Sequence, residues 1–557
     1  MALQMLCATL LAHATVVHAL VNFMGTSTAQ RSAVTADVVV IGSTPGAIAA
    51  AVAASRGGAT TLLVDCAPRL GGMMTGGLGR TDTGDTYAIG GIAMEVFQAI
   101  GVHYNVSKPV YSFEPHVAQA VLTQLMKMAG VMIVRSGAVA GASHAGSRLL
   151  TVSTVDGQSF NGTLFIDGTY EGDLMRASGA SYAVGREANT MYGESWAGRR
   201  NPFMGPFDFR PINPLNPDGS LRPLLTTRLS APLGSADATV QGYNFRLCAT
   251  QNESNRVPFP APASVNTSKW VLLRELARVT PTDFTHYVGL GPLPNGKYDM
   301  NNGCLISTDA TGLQYNYPLA SPTERVAIAE AHRQHMLEYF HELQTDPDLP
   351  AALRNSSNSW GLCADEFVEN GGWPEQLYVR EAARLQGDRV LKQQDLWPAV
   401  DYGNASIGMG SYPADGHYST RGPCIVDATN SSCRMATTEA ELAAAAAAGT
   451  LWTGGEGYVG ATNKAELYQI PYFTLLPKRA ELTNFLCPLT PSASHVTYAS
   501  LRMEPQFMIL GQAAGTAAAI AVARGVAAQD VPLPILHAAL RQAGVVLCHE
   551  GAPECNK

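Results

Sequence analysis

Charge is scarce in this 557-residue chain: Asp, Glu, Lys and Arg together make up 15% of it, against ~25% in an average soluble domain. With 46% of the residues hydrophobic, that scarcity excludes intrinsic disorder. An excess of either sign is also missing. The 37 basic and 45 acidic residues leave a formal charge of −8, so no global field draws the chain onto nucleic acid or anionic lipid. Four chemical signatures are absent as well. There is no CxxC pair, no HExxH, no GxSxG elbow and no P-loop, which speaks against structural zinc or iron–sulfur sites, metallopeptidase chemistry, acyl transfer and phosphoryl transfer. No metal site is expected. No repeat of solenoid period is present either, and at ~150 residues per domain the length suggests three or four units.

The first 30 residues carry no charged side chain, Arg31 being the first. Leu6 to Val17 is an apolar stretch of signal-peptide length, too short to span a bilayer. Residues 1–29 are therefore read as a signal peptide cut after Ala19 or Ala29, with a buried N-terminal helix as the alternative. Sequons at Asn105, Asn161, Asn252, Asn266, Asn355, Asn404 and Asn430 point the same way, to a secreted glycoprotein. Ten cysteines become nine if Cys7 leaves with the signal. Cys424 with Cys433, and Cys548 with Cys555, are spaced for disulfides that close short loops.

Glycine and β-branched residues are plentiful where the chain begins to fold. Asp37-Val-Val-Val-Ile-Gly42 reads as a buried parallel strand, Gly46 to Ser55 as an Ala-rich helix, and Thr60-Thr-Leu-Leu-Val-Asp65 as a second strand. Together they form a βαβ opening. The turn between strand and helix is a dinucleotide fingerprint with one departure. Gly42 holds the first glycine position and Ala47 the third, while Thr44 replaces the second, its hydroxyl free to donate to a phosphate oxygen. Asp65 ends the second strand at the distance expected for a ribose-binding carboxylate. The glycine-dense run Leu70-Gly-Gly-Met-Met-Thr-Gly-Gly-Leu-Gly79 reads as a loop, neither helix nor strand, against which a long ligand can lie.

Farther along, Pro202 to about Asn302 reads as an irregular insertion. Ser321-Pro-Thr-Glu324 is a capping box that opens a helix to roughly Glu342. His332, His335 and Glu338 recur on it every three residues, a solvated face being the preferred reading over a metal site. Near the C-terminus, Arg502-Met-Glu-Pro505 precedes a Gly/Ala-rich helix reaching Arg524 whose positive end suits a reduced, anionic flavin.

These runs, with Phe113-Glu-Pro-His116, Asp167-Gly-Thr-Tyr-Glu-Gly-Asp-Leu174, Val184-Gly-Arg-Glu-Ala-Asn189, Asn370-Gly-Gly-Trp-Pro-Glu-Gln-Leu-Tyr-Val-Arg-Glu381, Gly408-Met-Gly-Ser-Tyr412 and Ser492-Ala-Ser-His495, resemble the FAD-dependent oxidoreductase family. Bacterial relatives of that family are loosely labelled xanthan-lyase-like. The resemblance runs from about Asp37 to about Gly525. It implies an α/β fold: a discontinuous, glutathione-reductase-like FAD-binding Rossmann domain with a mixed α+β middle domain. The expected division is 37–190 and 466–530 for the FAD domain, 191–465 for the middle, substrate domain and 531–557 for a tail. By position, the resemblance implies FAD contacts at Gly42, Thr44, Pro45, Gly46, Asp65, Arg69, Gly72, Met73 and Thr75, with Val139 beside the adenine. Gly511 and Gln512 would lie beside the isoalloxazine.

Oxidation by a flavin needs a group that removes a proton while hydride leaves carbon. His417, in a Gly/Pro/Asp loop, and His495, just before the terminal helix, are the candidates. Arg502 either holds an anionic substrate group or the reduced flavin, or simply pairs with Glu504; both readings are open. The resulting expectation is a secreted FAD-dependent oxidoreductase acting on a small organic substrate, a sugar or polyol, with molecular oxygen as acceptor. Three rivals stand beside it: a redox-neutral flavin lyase or isomerase, a non-catalytic extracellular binding protein, and a nicotinamide enzyme.

Overall fold

Val38, Val39, Val40 and Ile41 are all 0% exposed. A strand buried on both faces reads as an unbroken apolar run and belongs at the centre of a parallel sheet. The computed structural model places it there, and describes residues 33–549 apart from 203–208, 398, 428, 430–431 and 460–465. The signal segment expected over 1–29, the sequon at Asn430 and Cys555 lie outside the described residues.

β1 (Val34–Ile41) runs parallel to β2 (Thr61–Asp65) on one side and to β6 (Ser159–Asp167) on the other. β3 (Met132–Arg135) extends the parallel sheet beyond β2. β4 (Val139–Ala145) and β5 (Arg148–Thr154) form an antiparallel hairpin against the first half of β6. The second half of β6 pairs with β7 (Phe485–Leu486), a strand from the far end of the chain, through Phe165 with Phe485 and Ile166 with Leu486. The strand order is thus β3-β2-β1-β6-β5-β4, with β7 beside β6.

α1 (Pro45–Arg56) joins β1 to β2, and α5 (Glu504–Arg524) packs along it. Their contact is made by small residues: a Cβ on Gly511 would run into the Gly46 carbonyl, and one on Gly515 into that of Ala50. α5 is the one helix among the described residues long and apolar enough to cross a membrane, but 78% of its most apolar 18-residue window is buried in the core. α2 (Gly72–Thr75) is a single turn within the glycine-dense run, where the sequence excluded a helix. It forms because Gly71 (φ +105°) and Gly72 (φ +51°) accept the left-handed backbone entering it, and the Thr75 hydroxyl closes it by donating to the Leu70 carbonyl at 2.8 Å.

The irregular insertion expected from Pro202 to Asn302 contains regular structure. Leu247–Thr250, Arg256–Val257, Val288–Leu293, Lys297–Asn302 and Gly361–Cys363 make a five-stranded antiparallel sheet. Leu247–Thr250 is buried at all four positions, so it lacks the alternation that betrays a half-exposed strand. A disulfide between Cys248 and Cys363 ties two of these strands together, and Cys424 is bonded to Cys433 as expected. Cys548 is also disulfide-bonded, while Cys66, Cys304 and Cys487 are free thiols.

The capping box at Ser321 is present, and α4 (Pro322–Thr345) follows it. The solvated face assigned to His332, His335 and Glu338 is a correction: all three are buried. Three-residue steps keep them on one side of the helix, and that side faces the core. Tyr243 stacks on His332 and Trp270 lies over His335. Each imidazole bonds a backbone carbonyl, of Ile328 and of Ser307 respectively. Burial pushes His332 down to about 4 and His335 down to about 3, so both rings are neutral.

Candidate functional site

A cleft opens at the carboxyl ends of β1 and β2, where open α/β sheets bind their ligands. Gly42, Ser43 and Thr44 line its floor, Ala138 and Val139 one end, and Tyr170, Glu171 and Asp173 one wall. The first turns of α4 line it as well, through Arg325, Val326 and Ala329, with Arg325 paired to Asp173 at 2.8 Å. That helix carried no cofactor role in the sequence.

Glycine at position 42 is obligatory: φ is +99° and a Cβ would lie 2.7 Å from the Gly168 carbonyl oxygen. Thr44 corrects the reading of its hydroxyl. That hydroxyl donates to the Gly168 carbonyl at 2.9 Å and accepts from the Ala47 N–H at 3.1 Å, so Thr44 caps α1 and stitches the turn to the DGT segment. Pro45 follows as the first helical residue, where its missing N–H costs nothing. Gly72 lies against Tyr170 and Thr44, leaving no room for a side chain. The Met73 N–H donates to the Tyr170 hydroxyl at 3.0 Å.

Asp65 is 1% exposed. Its Oδ1 accepts from the Ser43 hydroxyl at 2.6 Å and from the Ala67 N–H. Its Oδ2 faces Arg135 at 3.1 Å but accepts no hydrogen bond. A buried carboxylate at the end of the second strand, next to a bare glycine turn and a helix N-terminus, fits the ribose and pyrophosphate of a dinucleotide. The cleft suits a dinucleotide such as FAD, which Gly42, Thr44, Gly72 and Val139 would hold, with Asp65 just behind the glycine turn.

Of the expected cofactor positions, Gly42, Thr44, Gly72 and Val139 line the cleft, while Pro45, Gly46, Asp65, Met73 and Thr75 lie behind that lining. Arg69 is not on the lining but is held in ion pairs with Glu369 and with Glu375, which does line the cleft, and it bonds Gln119. Gly511 serves the α1–α5 contact described above. Gln512 accepts the Ile92 N–H at 2.7 Å and so pins α3 (Gly91–His103). Neither Gly511 nor Gln512 lines the cleft. Cys66 does, and burial pushes its thiol up to about 12, which keeps it from acting as a thiolate.

A polar cluster adjoins the cleft. Gln376 and Leu377 line the cleft, and the next residue, Tyr378, accepts from Arg502 Nη1 at 2.9 Å. Arg502 Nη2 also grips Asp415 Oδ2 at 2.9 Å, and Asp415 Oδ2 stands 4.0 Å from His417 Nε2. His417 Nδ1 meets Asp309 Oδ2 at 2.9 Å. Asp82, just beyond the glycine-dense run, completes the cluster; burial and then the nearby Asp415 raise its carboxyl above the usual range. The structure thus brings His417 and Arg502 into one cluster. The pairing of Arg502 with Glu504 is not formed: Glu504 instead accepts from the Tyr170 hydroxyl at 2.6 Å.

His495 stands apart. Its Nδ1 lies between both Glu381 oxygens at 2.8 and 2.9 Å, its backbone N–H donates to Glu187, and the ring is 0% exposed. Asp309, Asp415 and Tyr378 escaped the sequence reading. Asp415, two residues before His417 in the same loop, was the findable one.

Among solved structures, a region covering 28% of this chain is similar to 43% of a flavin-containing monooxygenase from Stenotrophomonas maltophilia, at 18% identity and a TM-score of 0.19. A region of the same extent is similar to 36% of the anhydrotetracycline hydroxylase OxyS from Streptomyces rimosus, at 13% identity and a TM-score of 0.21. The chain thus spans under half the length of either. No curated protein matches it. Residues 37–540 match the family model described as FAD dependent oxidoreductase. The chain belongs to that family.

Proposed function

We propose that this flavoprotein oxidises a small hydroxylated organic substrate, a sugar or polyol, with His417 as the base. The observation that carries the reading is the state of the His417 ring. Its Nδ1 is engaged by Asp309, while its Nε2 has no hydrogen-bond partner closer than the Asp415 oxygen at 4.0 Å. Burial, and after it the Arg380 charge, pushes His417 below the ordinary histidine value, so the ring is neutral at pH 7 and ready to accept a proton. His495 has the same kind of carboxylate partner but is sealed in the core. Only His417, with 14% of its side chain exposed, is open to a substrate.

FAD, when bound, supplies the hydride acceptor. The protein's part is to take the substrate hydroxyl proton on Nε2 and to hold the substrate oxygen near Arg502 and Tyr378. Five sequons, at Asn105, Asn252, Asn266, Asn355 and Asn404, are exposed, and the two described disulfides suit an oxidising compartment. Both support the reading of a secreted glycoprotein.

The test is to mix the purified yellow protein anaerobically with sugars, polyols, amines and hydroxy acids. Bleaching by one class names the substrate class, and peroxide release in air names oxygen as the acceptor. His417→Ala should slow bleaching at least ~100-fold, the usual contribution of a general base, with flavin content unchanged. Turnover without bleaching would favour the redox-neutral lyase or isomerase instead.

A further inference from the structure

Asp309 reaches the cluster from a segment 108 residues before His417. It is 1% exposed, and every polar atom it offers is used. Oδ2 meets His417 Nδ1 at 2.9 Å, Oδ1 accepts from Arg380 Nη1 at 2.9 Å, and its carbonyl accepts from Arg421 Nη1 at 3.2 Å. The main chain of the histidine is fixed too, since the His417 N–H donates to Gln241 Oε1 at 3.1 Å.

A carboxylate can only accept hydrogen bonds. Burial alone would protonate Asp309, but Arg380, and with it His417 and Arg421, holds the carboxyl well below the usual carboxylate range. Its partner nitrogen must therefore carry the ring proton, which leaves the lone pair on Nε2. Asp415 does not compete for that nitrogen. Arg502 clamps it at 2.9 Å and keeps its oxygen 4.0 Å away, beyond hydrogen-bond reach. The charged groups around the ring are thus Asp309 and Arg380 on the Nδ1 side and Asp415 with Arg502 on the Nε2 side.

We propose that Asp309 is the positioning residue of the His417 base: it fixes the Nδ1–H tautomer, aims Nε2 at the substrate, and balances the imidazolium once the proton has arrived. This rests on the assignment of His417 made above. The substrate proton goes to Nε2 and stays on the imidazole, and Asp309 remains ionised throughout.

The experiment uses the full-length, FAD-loaded protein and three variants: Asp309→Asn, Asp309→Glu and His417→Ala. Asparagine keeps the shape but offers an N–H to Nδ1, which drives the ring proton to Nε2 and blocks the base. Asp309→Asn should keep its flavin and lose roughly 100-fold or more in kcat, with KM little changed. Its pH profile should lose the limb set by the imidazole. Asp309→Glu should recover part of the loss. Selective 15N labelling of histidine, with the His417 resonance assigned by its absence in His417→Ala, should show Nδ1 protonated in the parent chain and Nε2 protonated in Asp309→Asn. If Asp309→Asn folds poorly, the parent spectrum decides alone: Nε2 protonated near pH 7 overturns the proposal. So does an Asp309→Asn enzyme within twofold of the parent while His417→Ala is inactive. Full activity in His417→Ala would instead fail the base assignment itself.

Discussion

Glu504 shows how much one side chain can tie stability to pH. It is wholly buried at the start of α5, its Oε1 bonded to Tyr170 and its Oε2 without a partner. Burial pushes its carboxyl up to about 8, against the smaller opposing pull of the Tyr170 hydrogen bond. A carboxyl whose value is higher in the folded than in the unfolded chain binds its proton more tightly when folded. Its contribution to stability is therefore full below the unfolded value of ~4.3 and is lost as the pH climbs through 8. Glu504→Gln cannot titrate. Thermal midpoints measured from pH 5 to pH 9 should fall more steeply for the parent chain than for Glu504→Gln, and parallel curves would refute the assignment. At this scale the sequence was legible where a residue's role is local. Gly42 could be placed because its turn lies between a recognisable strand and helix. Asp309 could not, because nothing near it in the chain marks it as the partner of a histidine 108 positions away.

Between elements, the closest fit is that of α1 on α5. Gly46 and Ala50 meet Gly511 and Gly515, and a methyl group on Gly511 has no space to enter. Gly511→Ala should force the helices apart and cost about 1–3 kcal/mol, the usual range for overpacking, visible as a lowered unfolding midpoint. Because α1 also supports the glycine turn, flavin retention on gel filtration should fall with it. The helix itself was readable from its Gly/Ala pattern and its proline at the first turn. Its purpose was not: small residues suit a ligand or another helix equally, and only the packing shows that Gly511 and Gln512 face protein. The middle sheet was hidden for the opposite reason. A short strand buried on both faces leaves no periodic trace, so Leu247–Thr250 passed for irregular chain.

For the molecule as a whole, the cleft draws on β1, the DGTYEGD segment and α4, which are far apart in the chain. A ligand joining such parts stabilises the folded state by mass action, about 2.7 kcal/mol at a hundred times its Kd. Stripping the flavin should lower the unfolding midpoint, and FAD should restore it. FMN at the same concentration should restore less, because it lacks the adenosine that the Ala138 and Val139 end of the cleft would receive. Equal rescue by FMN would mean that this end binds nothing.

The pairing of β7 with β6 has a consequence for biosynthesis. The short strand that pairs with the second half of β6 is translated after most of the polypeptide, and α5, which braces the first helix, follows later still. A nascent or truncated chain ending before Leu486 lacks both pieces. Pigmentation therefore has to come last, after the ribosome has nearly finished, and fragments covering only the amino-terminal half should be colourless however well they collapse.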